Sequence, residues 1–386
     1  MSASPVRRVL TLSTGLAALV ALAACSTPGA KTTTGQGSAA TGDLKIAVVD
    51  AQSGQNSALG GWEYKGAKLA VDQWNARGGI NGRKIALTLF DDQGDPTVGT
   101  NLASKLAGEG YIAMIGTAES GVTVAMEPTL KAAGIPNITS GQSNALTAGG
   151  DPFVFLNGPT STTYDATLAK YVIDTKGLKK IAMITNNGSY GKGEHDAFLA
   201  ELKKRGITPL TDQVVTTSQT DFSAALTTIK QKNPDVVFIG SEEVEAGLIV
   251  KQARSLGITA PFAGSAPQGT PVYVNTAGAA NAENTIVSSP YLSNDTSDAS
   301  KAFAAAYLAA YKTTAELHGA KAYDGTEILL TALKTSNAAT GAKLADAIRA
   351  THYQGLLGDF AYDSTGVGIF ATKIGVIKNG QLTAIG

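Results

Sequence analysis

Cysteine, histidine and excess charge of either sign are scarce in this sequence. Its 386 residues include one cysteine and three histidines, and its 31 basic side chains are balanced by 31 acidic ones. A single cysteine excludes an intrachain disulfide, and zero net charge leaves no basic footprint for nucleic acid. His195, His318 and His352 share no metal-ligand spacing, so we expect them at or near the surface.

Catalytic motifs are also missing from the sequence. It has no Gly-x-Ser-x-Gly nucleophile elbow and no Walker phosphate-binding motif, and no histidine has a recognisable nucleophile or acid partner. These absences argue against an enzyme, and they leave any ATP-driven work to another protein. No cofactor or metal is expected.

The hydrophobic pattern predicts an α/β protein. Apolar strands alternate with helical segments along most of the chain, which is typical of parallel sheets with helices on both faces. The strands are too many for one such sheet, and 386 residues are more than one core normally serves, so we expect two sheets. The predicted strands in this part are 44–49, 85–90, 112–115, 136–139, 181–185, 214–216, 236–240, 261–263 and 285–289.

The pattern changes in the last quarter of the chain. Helices are predicted at 300–311, 322–334 and 341–350, followed by strands at 360–362, 369–378 and 381–384. Asn379-Gly380 lies between the last two apolar runs, and this pair is the strongest short signal for a hairpin. We expect the tail to complete a sheet begun earlier.

The amino-terminal segment is predicted to direct export rather than to fold. Two arginines precede an uncharged run at 9–24, and Leu22-Ala23-Ala24-Cys25 resembles a lipoprotein signal, in which Cys25 becomes the lipidated first residue. An ordinary secretory signal with a coincidental cysteine is the alternative. Residues 26–43 are mostly Ser, Thr, Gly, Ala, Pro and Gln, so we expect a flexible tether between the membrane and the folded part.

Two neighbouring loops carry the first indication of function. Strands at 112–116 and 136–139 end in loops of small hydroxyl and amide residues, at 117–121 and 140–144. In an open parallel sheet such loops lie side by side at the carboxyl edge, where ligands bind. They form a pocket wall without a catalyst, which indicates binding of a small polar molecule.

Several motifs together carry a family resemblance that covers nearly all of the chain after residue 43. They are Gly66-Ala67-Lys68-Leu69-Ala70-Val71-Asp72, Asn75-Ala76-Arg77-Gly78-Gly79-Ile80-Asn81-Gly82-Arg83-Lys84, Asp91-Asp92-Gln93-Gly94-Asp95-Pro96, Ser189-Tyr190-Gly191-Lys192-Gly193, Thr220-Asp221-Phe222-Ser223-Ala224, Asn233-Pro234-Asp235-Val236-Val237, Glu245-Ala246-Gly247 and Gly358-Asp359-Phe360-Ala361-Tyr362-Asp363-Ser364-Thr365-Gly366. The sequence resembles the branched-chain amino acid transporter substrate-binding proteins, which are type I periplasmic binding proteins of the leucine/isoleucine/valine-binding type. The resemblance implies two Rossmann-like lobes with parallel-rich sheets, joined by a three-crossover hinge, with the ligand in the cleft.

The resemblance also implies boundaries and partners. The first lobe would comprise residues 44–160 plus 291–357, and the second 161–290 plus 358–386. In the family the closed lobes present the ligand to a membrane permease that works with a cytoplasmic ATPase. We therefore expect an exported monomer, periplasmic or at the outer face of the cell membrane, and attached to the membrane through its lipid anchor only.

In the first lobe, the resemblance points to Ser120, Gln142 and Ser143. Ser120 matches the family serine that grips the ligand carboxylate, and a hydroxyl beside the amides that open a helix suits an anion. A plain helix N-cap is the alternative. Gln142 and Ser143 replace the family's small residue and threonine. We expect Ser143 to contact the ligand and the larger Gln142 to enter the cleft. The alternative is that the polar groups of this loop only hydrogen-bond with one another.

Tyr190 and Trp62 are the aromatic candidates. Tyr190 matches a tyrosine that the family uses from the closing lobe. Its glycine-flanked loop also suggests phosphate binding, but the spacing is neither GxGxxG nor a Walker loop. Trp62 precedes a helix predicted at 63–77, and it is either a lid that stacks on the ligand or a residue that packs the helix.

The second lobe departs from the family pattern at two places. Glu242 and Glu243 stand where relatives commonly carry aromatic residues, and residues 264–269 lack the acid that relatives use to neutralise a ligand ammonium. One explanation is that Glu242 or Glu243 binds the ammonium instead. The alternative is a solvated helix N-terminus, where carboxylates are favourable. Because a buried unpaired carboxylate is costly, one that faces the cleft requires a cationic or strongly donating ligand.

Three classes of function compete. The leading interpretation is a lipid-anchored solute-binding protein that captures an amino acid or a related metabolite for an ABC importer. A receptor for an amide, urea or an aromatic acid, and a sensor that signals to a membrane partner, are alternatives on the same fold. An enzyme is disfavoured because the motifs for catalysis are missing.

Overall fold

The computed structural model describes residues 42–291 and 297–385. The lipidation predicted at Cys25 and nearly all of the predicted tether lie outside these residues. A five-stranded sheet and a seven-stranded sheet organise the described part, together with a small three-stranded sheet. No helix within the two described ranges has the length and apolarity that a membrane crossing needs.

The first sheet is built from the amino-terminal part of the described chain. Its elements are β1 (Leu44–Val49), α1 (Ser57–Ala76), β2 (Ile85–Phe90), α2 (Pro96–Glu109), β3 (Ala113–Ile115), α3 (Ser120–Ala133), β4 (Asn137–Thr139), α4 (Ala145–Ala148) and β5 (Val154–Leu156). The strands are parallel in the order β2-β1-β3-β4-β5. The central strands β3 and β4 are buried at every residue, because helices cover both faces of the sheet.

The second sheet begins after a crossing from β5. The next elements are α5 (Ser161–Ala169), continued by a π-helical segment (Lys170–Thr175), β6 (Ile181–Asn186), α6 (Ser189–Lys204), β7 (Thr211–Val215), α7 (Ser223–Lys232), β8 (Val236–Gly240), α8 (Glu243–Ser255), β9 (Phe262–Gly264), a 3-10 turn (Ala266–Gly269), α9 (Pro271–Ala277), α10 (Ala279–Ala282) and β10 (Ile286–Ser289). The strands among them pair in parallel.

The tail returns to both sheets. It contains α11 (Asp298–Tyr311), α12 (Leu317–Thr335), α13 (Gly341–Arg349), β11 (Tyr353–Gly355), β12 (Gly358–Tyr362), β13 (Gly368–Ile369), β14 (Lys373–Lys378) and β15 (Gln381–Ala384). Strands β11–β13 form the small antiparallel sheet. Strand β14 pairs antiparallel with β10 and with β15, which gives the order β15-β14-β10-β9-β8-β6-β7.

The hairpin predicted at Asn379-Gly380 is confirmed. Both residues have positive φ, 51° and 75°, as a tight two-residue turn between antiparallel strands requires. The pairing of Lys378 with Gln381 closes the turn. The tail therefore completes the second sheet, as expected.

Separate hydrophobic cores follow the two large sheets. One cluster packs β1 and β5 against α11–α13 and also contains Phe360, Tyr362 and Phe370, whereas Ile377 of β14 belongs to a core of the second sheet. The chain thus crosses between the sheets three times, after β5, after β10 and after β13. This is the predicted fold of two parallel-rich lobes with three crossovers. Residues 358–370 pack with the first core, so the segment 358–386 is shared between the two lobes.

The start of the first long helix differs from its prediction. Helix α1 begins at Ser57, six residues before the predicted start at Glu63, so the placement of Trp62 ahead of the helix is wrong. Gly60 and Gly61 are its fourth and fifth residues, and glycine is a poor helix former. Gly60 is needed because a Cβ there would lie 2.0 Å from the carbonyl oxygen of Ala51.

Candidate functional site

A cavity lies where the loops of the two lobes face each other. It encloses about 350 Å³ of empty space when the part that is open to solvent is included. We call the residues on the side of the first sheet the first wall: Leu59, Ala118, Glu119, Ser120, Ser140, Gln142 and His318. The second wall consists of Tyr190, Glu242, Glu243 and Pro267.

The first wall stands at the carboxyl edge of the first sheet. Strand β3 leads into Glu119 and Ser120 at the start of α3, and the adjacent parallel strand β4 leads into Ser140 and Gln142. The two loops lie side by side because their strands are neighbours with the same direction. This is the arrangement that the sequence pattern predicts for a ligand-binding edge.

Hydrogen bonds to Ser120 connect these two loops. Its side chain is 2% exposed, and Oγ accepts hydrogen bonds of 3.2 Å from the backbone amides of Gln142 and Ser143. Ser120 is the first residue of α3 and Glu119 is the cap residue, so Ser120 is not the N-cap that the alternative interpretation requires. With both lone pairs occupied, the hydroxyl proton is the group that Ser120 offers to a ligand.

Gln142 and Ser143 have different places. Gln142 lines the cavity, and its Nε2 donates a 3.3 Å hydrogen bond to Oγ of Ser265, which belongs to the second lobe. Ser143 is buried and is not among the cavity-lining residues; its Oγ accepts from the amide of Ala145 and from Oγ of Ser189. A ligand contact of Ser143 stays a prediction.

Tyr190 is the aromatic residue of the second wall. It lies in the first turn of α6, and its hydroxyl is 2.8 Å from Oγ of Ser265. Ser265 is therefore a common partner of Tyr190 and Gln142, and it links the two walls. The ring of Tyr190 is 6% exposed, which fits a residue that becomes covered where the lobes meet.

The second wall places two acids at the start of α8. Glu242 is its cap residue and Glu243 its first residue, and both line the cavity. Asn186 donates through Nδ2 to Glu242 and, over 2.6 Å, to Glu245. Burial, with Glu245 nearby, raises the pKa of Glu242 to about 8. Glu243 is 1% exposed, so it is not part of a solvated helix end, which was the alternative interpretation of this pair.

His318 is the residue that sequence reasoning missed. It is 7% exposed and lines the cavity, so its predicted position at or near the surface is wrong. Its Nε2 lies 3.0 Å from Oε1 of Glu243, and its Nδ1 lies 3.6 Å from Oε1 of Glu63. Burial disfavours its charged form, but the hydrogen bond with Glu243 and the nearby carboxylate of Glu63 prevail and raise the pKa of His318 to about 10.

The His318 bridge joins the lobes. Glu63 lies in α1 and His318 in α12, which both pack on the first sheet, whereas Glu243 opens α8 of the second lobe. The imidazolium is held between two nearly fully buried carboxylates. No motif signals it, because its partners are 255 positions before it and 75 positions before it in the chain.

Glu119 is a second cavity-lining residue that the sequence did not single out. It lines the first wall next to Ser120, and burial raises its pKa to about 7. Its Oε1 is buried and has no hydrogen-bond partner among residues 42–291 and 297–385. Glu119 therefore adds an acceptor at the position where the resemblance expects a ligand carboxylate.

Trp62 does not line the cavity. It is half-buried within α1 and is absent from the cavity lining. In the described part of the chain, no group of three His, Cys, Asp or Glu side chains has the geometry to hold a metal ion. The cavity thus offers hydrogen bonds and charge to a ligand.

Two lobes of parallel-rich sheet, three crossovers and a polar cavity between the facing loops define the class of the bilobed solute-binding proteins. The profile of the periplasmic binding protein family matches residues 43–381. The chain belongs to this family.

Individual relatives agree with this assignment. The chain is 31% identical to the Leu/Ile/Val-binding protein BraC3 of Rhizobium johnstonii, over 78% of this chain and 82% of the relative. It is 29% identical to the leucine-specific-binding protein of Salmonella typhimurium, over 84% of this chain and 88% of the relative. The crystal structure of the substrate-binding protein LivJ of Streptococcus pneumoniae with isoleucine superposes with a TM-score of 0.83 at 29% identity, covering 89% of this chain and 98% of LivJ.

Proposed function

We propose that this chain is a lipid-anchored receptor outside the cytoplasmic membrane, which captures a small polar ligand for an ABC importer. The ligand class is an amino acid or a related metabolite, since relatives are named for binding leucine, isoleucine and valine. The observation that carries the proposal is the cleft cavity, which is lined by buried hydrogen-bonding side chains from both walls.

Closure of the two lobes over the ligand is part of this proposal. Polar contacts that join the lobes around the cavity include His318 with Glu243, Gln142 with Ser265, and Ser189 with Ser143. Such contacts form only when the lobes approach, and the three crossovers supply a hinge. Micromolar affinity corresponds to about 8 kcal/mol, which a few charge-assisted hydrogen bonds in a closed site can supply.

A thermal-shift screen tests the proposal. A ligand that binds only the folded protein must raise the melting temperature, so the purified chain is screened against amino acids, amides, polyols and aromatic acids. We expect Ser120→Ala and Tyr190→Ala each to weaken the strongest hit at least tenfold, which is about 1.4 kcal/mol. Ser104→Ala, an exposed serine of α2, is the matched control. Unchanged affinity in both cavity variants would remove the assignment.

The membrane anchor has its own test. If Cys25 carries a lipid, Cys25→Ser releases the protein from the membrane fraction without changing the melting temperature of the folded part. Continued membrane retention of Cys25→Ser would contradict the anchor and leave the binding function untouched.

A further inference from the structure

The start of helix α6 lies directly against the loop that follows β4. Ser189 opens the helix, and its Oγ donates a 3.4 Å hydrogen bond to Oγ of Ser143. Gly193 follows one turn later on the same face of α6, and it is buried. Because β4 belongs to the first sheet and α6 follows β6 of the second, this is a contact between the lobes.

Two glycines allow the lobes to come this close. A Cβ on Gly193 would lie 3.2 Å from Oγ and 3.3 Å from Cα of Ser143, closer than the optimal separation of about 3.5–4.0 Å between carbon atoms. Gly121, in the first turn of α3, faces Ser189, whose Cβ would lie 4.0 Å from a Cβ on Gly121. We call Gly121, Ser143, Ser189 and Gly193 the closure contact.

Helix α6 itself does not require a glycine at position 193. The φ of Gly193 is not positive, and the residue lies inside the helix, where glycine is less favourable than alanine. Within the same lobe, a Cβ on Gly193 would approach Oγ of Ser161 to 3.4 Å, and that hydroxyl can turn to another rotamer. The glycine therefore weakens its own helix, and the close approach of Ser143 is what it makes possible.

We propose that Gly193 is a positioning residue for lobe closure, whose missing side chain lets Ser143 dock on α6 and so sets how long the ligand is held. This inference rests on the lobe closure that is part of the proposed function. Ser161 lies just after the first crossover, and its backbone amide donates 2.9 Å to the carbonyl of Gln142, so the contact is close to the hinge. A small separation there widens toward the rim of the cleft.

Calorimetric titration with L-leucine and L-isoleucine measures the effect on ligand binding. Overpacking of a close contact is costly, so we expect Gly193→Ala to weaken the tighter probe by roughly fivefold or more, and Gly193→Val by roughly twentyfold or more. Gly108→Ala is the matched control, because Gly108 is an exposed helix glycine of α2 with nothing within 4 Å of a Cβ. Equal affinity of Gly193→Ala and Gly108→Ala overturns the inference.

The binding kinetics separate a closure defect from a damaged cavity. The ligand enters the open cleft before the lobes close, so the association rate constant should stay within about twofold and the lost affinity should appear as faster dissociation. Stopped-flow mixing measures both rate constants. Slower association of Gly193→Ala with unchanged dissociation overturns the inference.

The melting temperature without ligand separates closure from folding. Gly193→Ala should melt at or above the wild-type temperature, because alanine favours the helix. A lower melting temperature would show that Gly193 is needed for packing within the folded protein, and it would overturn the closure role.

A distance measurement tests the inference without any ligand. Gln55 and Thr220 are exposed and lie in the loops after β1 and β7, one on each lobe, and cysteines at these two positions can carry fluorescent dyes in the Cys25→Ser chain. We expect Gly193→Ala to lower the fraction of molecules with high energy transfer about twofold or more, and Gly108→Ala to leave this fraction unchanged. An unchanged fraction in Gly193→Ala overturns the inference.

The outcomes separate this inference from the proposed function. If leucine or isoleucine binds Gly193→Ala as tightly as Gly108→Ala, the receptor function stands and the closure role of Gly193 fails. If no compound of the wider screen binds, but Gly193→Ala lowers the fraction with high energy transfer, the receptor function fails and the closure role stands. Faster dissociation together with a lower fraction supports both.

Discussion

The two walls of the cleft occupy equivalent edges of two similar sheets, yet they are held in place differently. The first wall is held by hydrogen bonds within its own lobe. Oγ of Ser120 accepts from two backbone amides of the loop after β4, and Lys321 donates a 2.6 Å hydrogen bond to the carbonyl of Ser140. The second wall places acids at a helix start, and Glu243 reaches its partner His318 only across the cleft. One wall is therefore preorganised, and the other is completed by closure.

This difference assigns separate tasks to the walls. A preorganised wall presents its groups at low entropic cost and suits the first encounter with a ligand. In the second wall, the charge of Glu243 is compensated only across the cleft. The stability of the closed state therefore depends on what occupies the site. The following predictions test the comparison, beginning with the largest expected effect.

His318→Gln removes the bridge between the walls. Breaking a buried ion pair by removing one partner costs about 3–5 kcal/mol, and here both Glu63 and Glu243 lose their cationic neighbour. We expect a loss of that size in the free energy of unfolding from urea denaturation at pH 6. The exposed His352→Gln is the control and should be neutral.

The pH dependence of this loss follows from the raised pKa. His318 has a pKa of about 10, above the ordinary value near 6.5. Its contribution is full below about pH 6.5 and is lost as the pH rises through 10. The difference between wild type and His318→Gln should therefore shrink between pH 7 and pH 10, and a constant difference would argue against a charged bridge.

Ser120→Ala disturbs the preorganised wall. It leaves the buried amides of Gln142 and Ser143 without an acceptor, and unsatisfied buried groups cost about 1–3 kcal/mol. We expect a loss of stability in that range even without ligand. If Ser120→Ala is as stable as the control Ser104→Ala, the first wall is not held by this serine.

The acids of the cleft should make stability fall with pH. Burial raises the pKa of Glu242 to about 8 and of Glu119 to about 7, above the value of about 4.3 for an unfolded chain. The folded protein then binds protons that the unfolded chain releases, so these groups destabilise the fold progressively as the pH rises from about 5 to 8. The melting temperature of Glu242→Gln should depend less on pH than that of wild type. Identical pH profiles would contradict the shifted pKa.

Tyr190→Phe should have the smallest effect. It deletes the hydroxyl that lies 2.8 Å from Oγ of Ser265, and a single hydrogen bond contributes about 0.5–1.5 kcal/mol. Stability should fall by that amount, measured by urea denaturation, while the ring keeps its packing. A loss as large as that of His318→Gln would mean that Tyr190, and not the ion bridge, holds the walls together.

Local sequence signals were sufficient for the fold and for the placement of two polar loops side by side at one edge of a sheet. Alternating strands and helices predict the two sheets, Asn379-Gly380 predicts the terminal hairpin, and the loop positions of Ser120 and Gln142 predict the wall. Each of these features depends on neighbours within one or two elements of the chain. The acids at the start of α8, Glu242 and Glu243, were also visible in the sequence, because they replace residues of another type in the family pattern.

Features that depend on distant contacts were not predictable. The environment of His318 arises from Glu63 and Glu243, which only the folded chain brings to it. The sequence did not predict the early start of α1, because Gly60 lowers the helix propensity there. The same glycine permits the close contact with Ala51 that the fold requires. Gly66 behaves similarly, since a Cβ there would lie 2.1 Å from the carbonyl oxygen of Gly319 in α12.

The central claim is that groups from both walls hold one ligand between them. The most direct test is calorimetric titration of the strongest ligand into wild type and into Ser120→Ala/Glu242→Gln, which changes one residue of each wall. We expect the affinity of the double variant to fall at least a hundredfold, about 2.7 kcal/mol, while far-ultraviolet circular dichroism stays unchanged. A folded double variant that binds the ligand as tightly as wild type would show that the ligand site lies elsewhere.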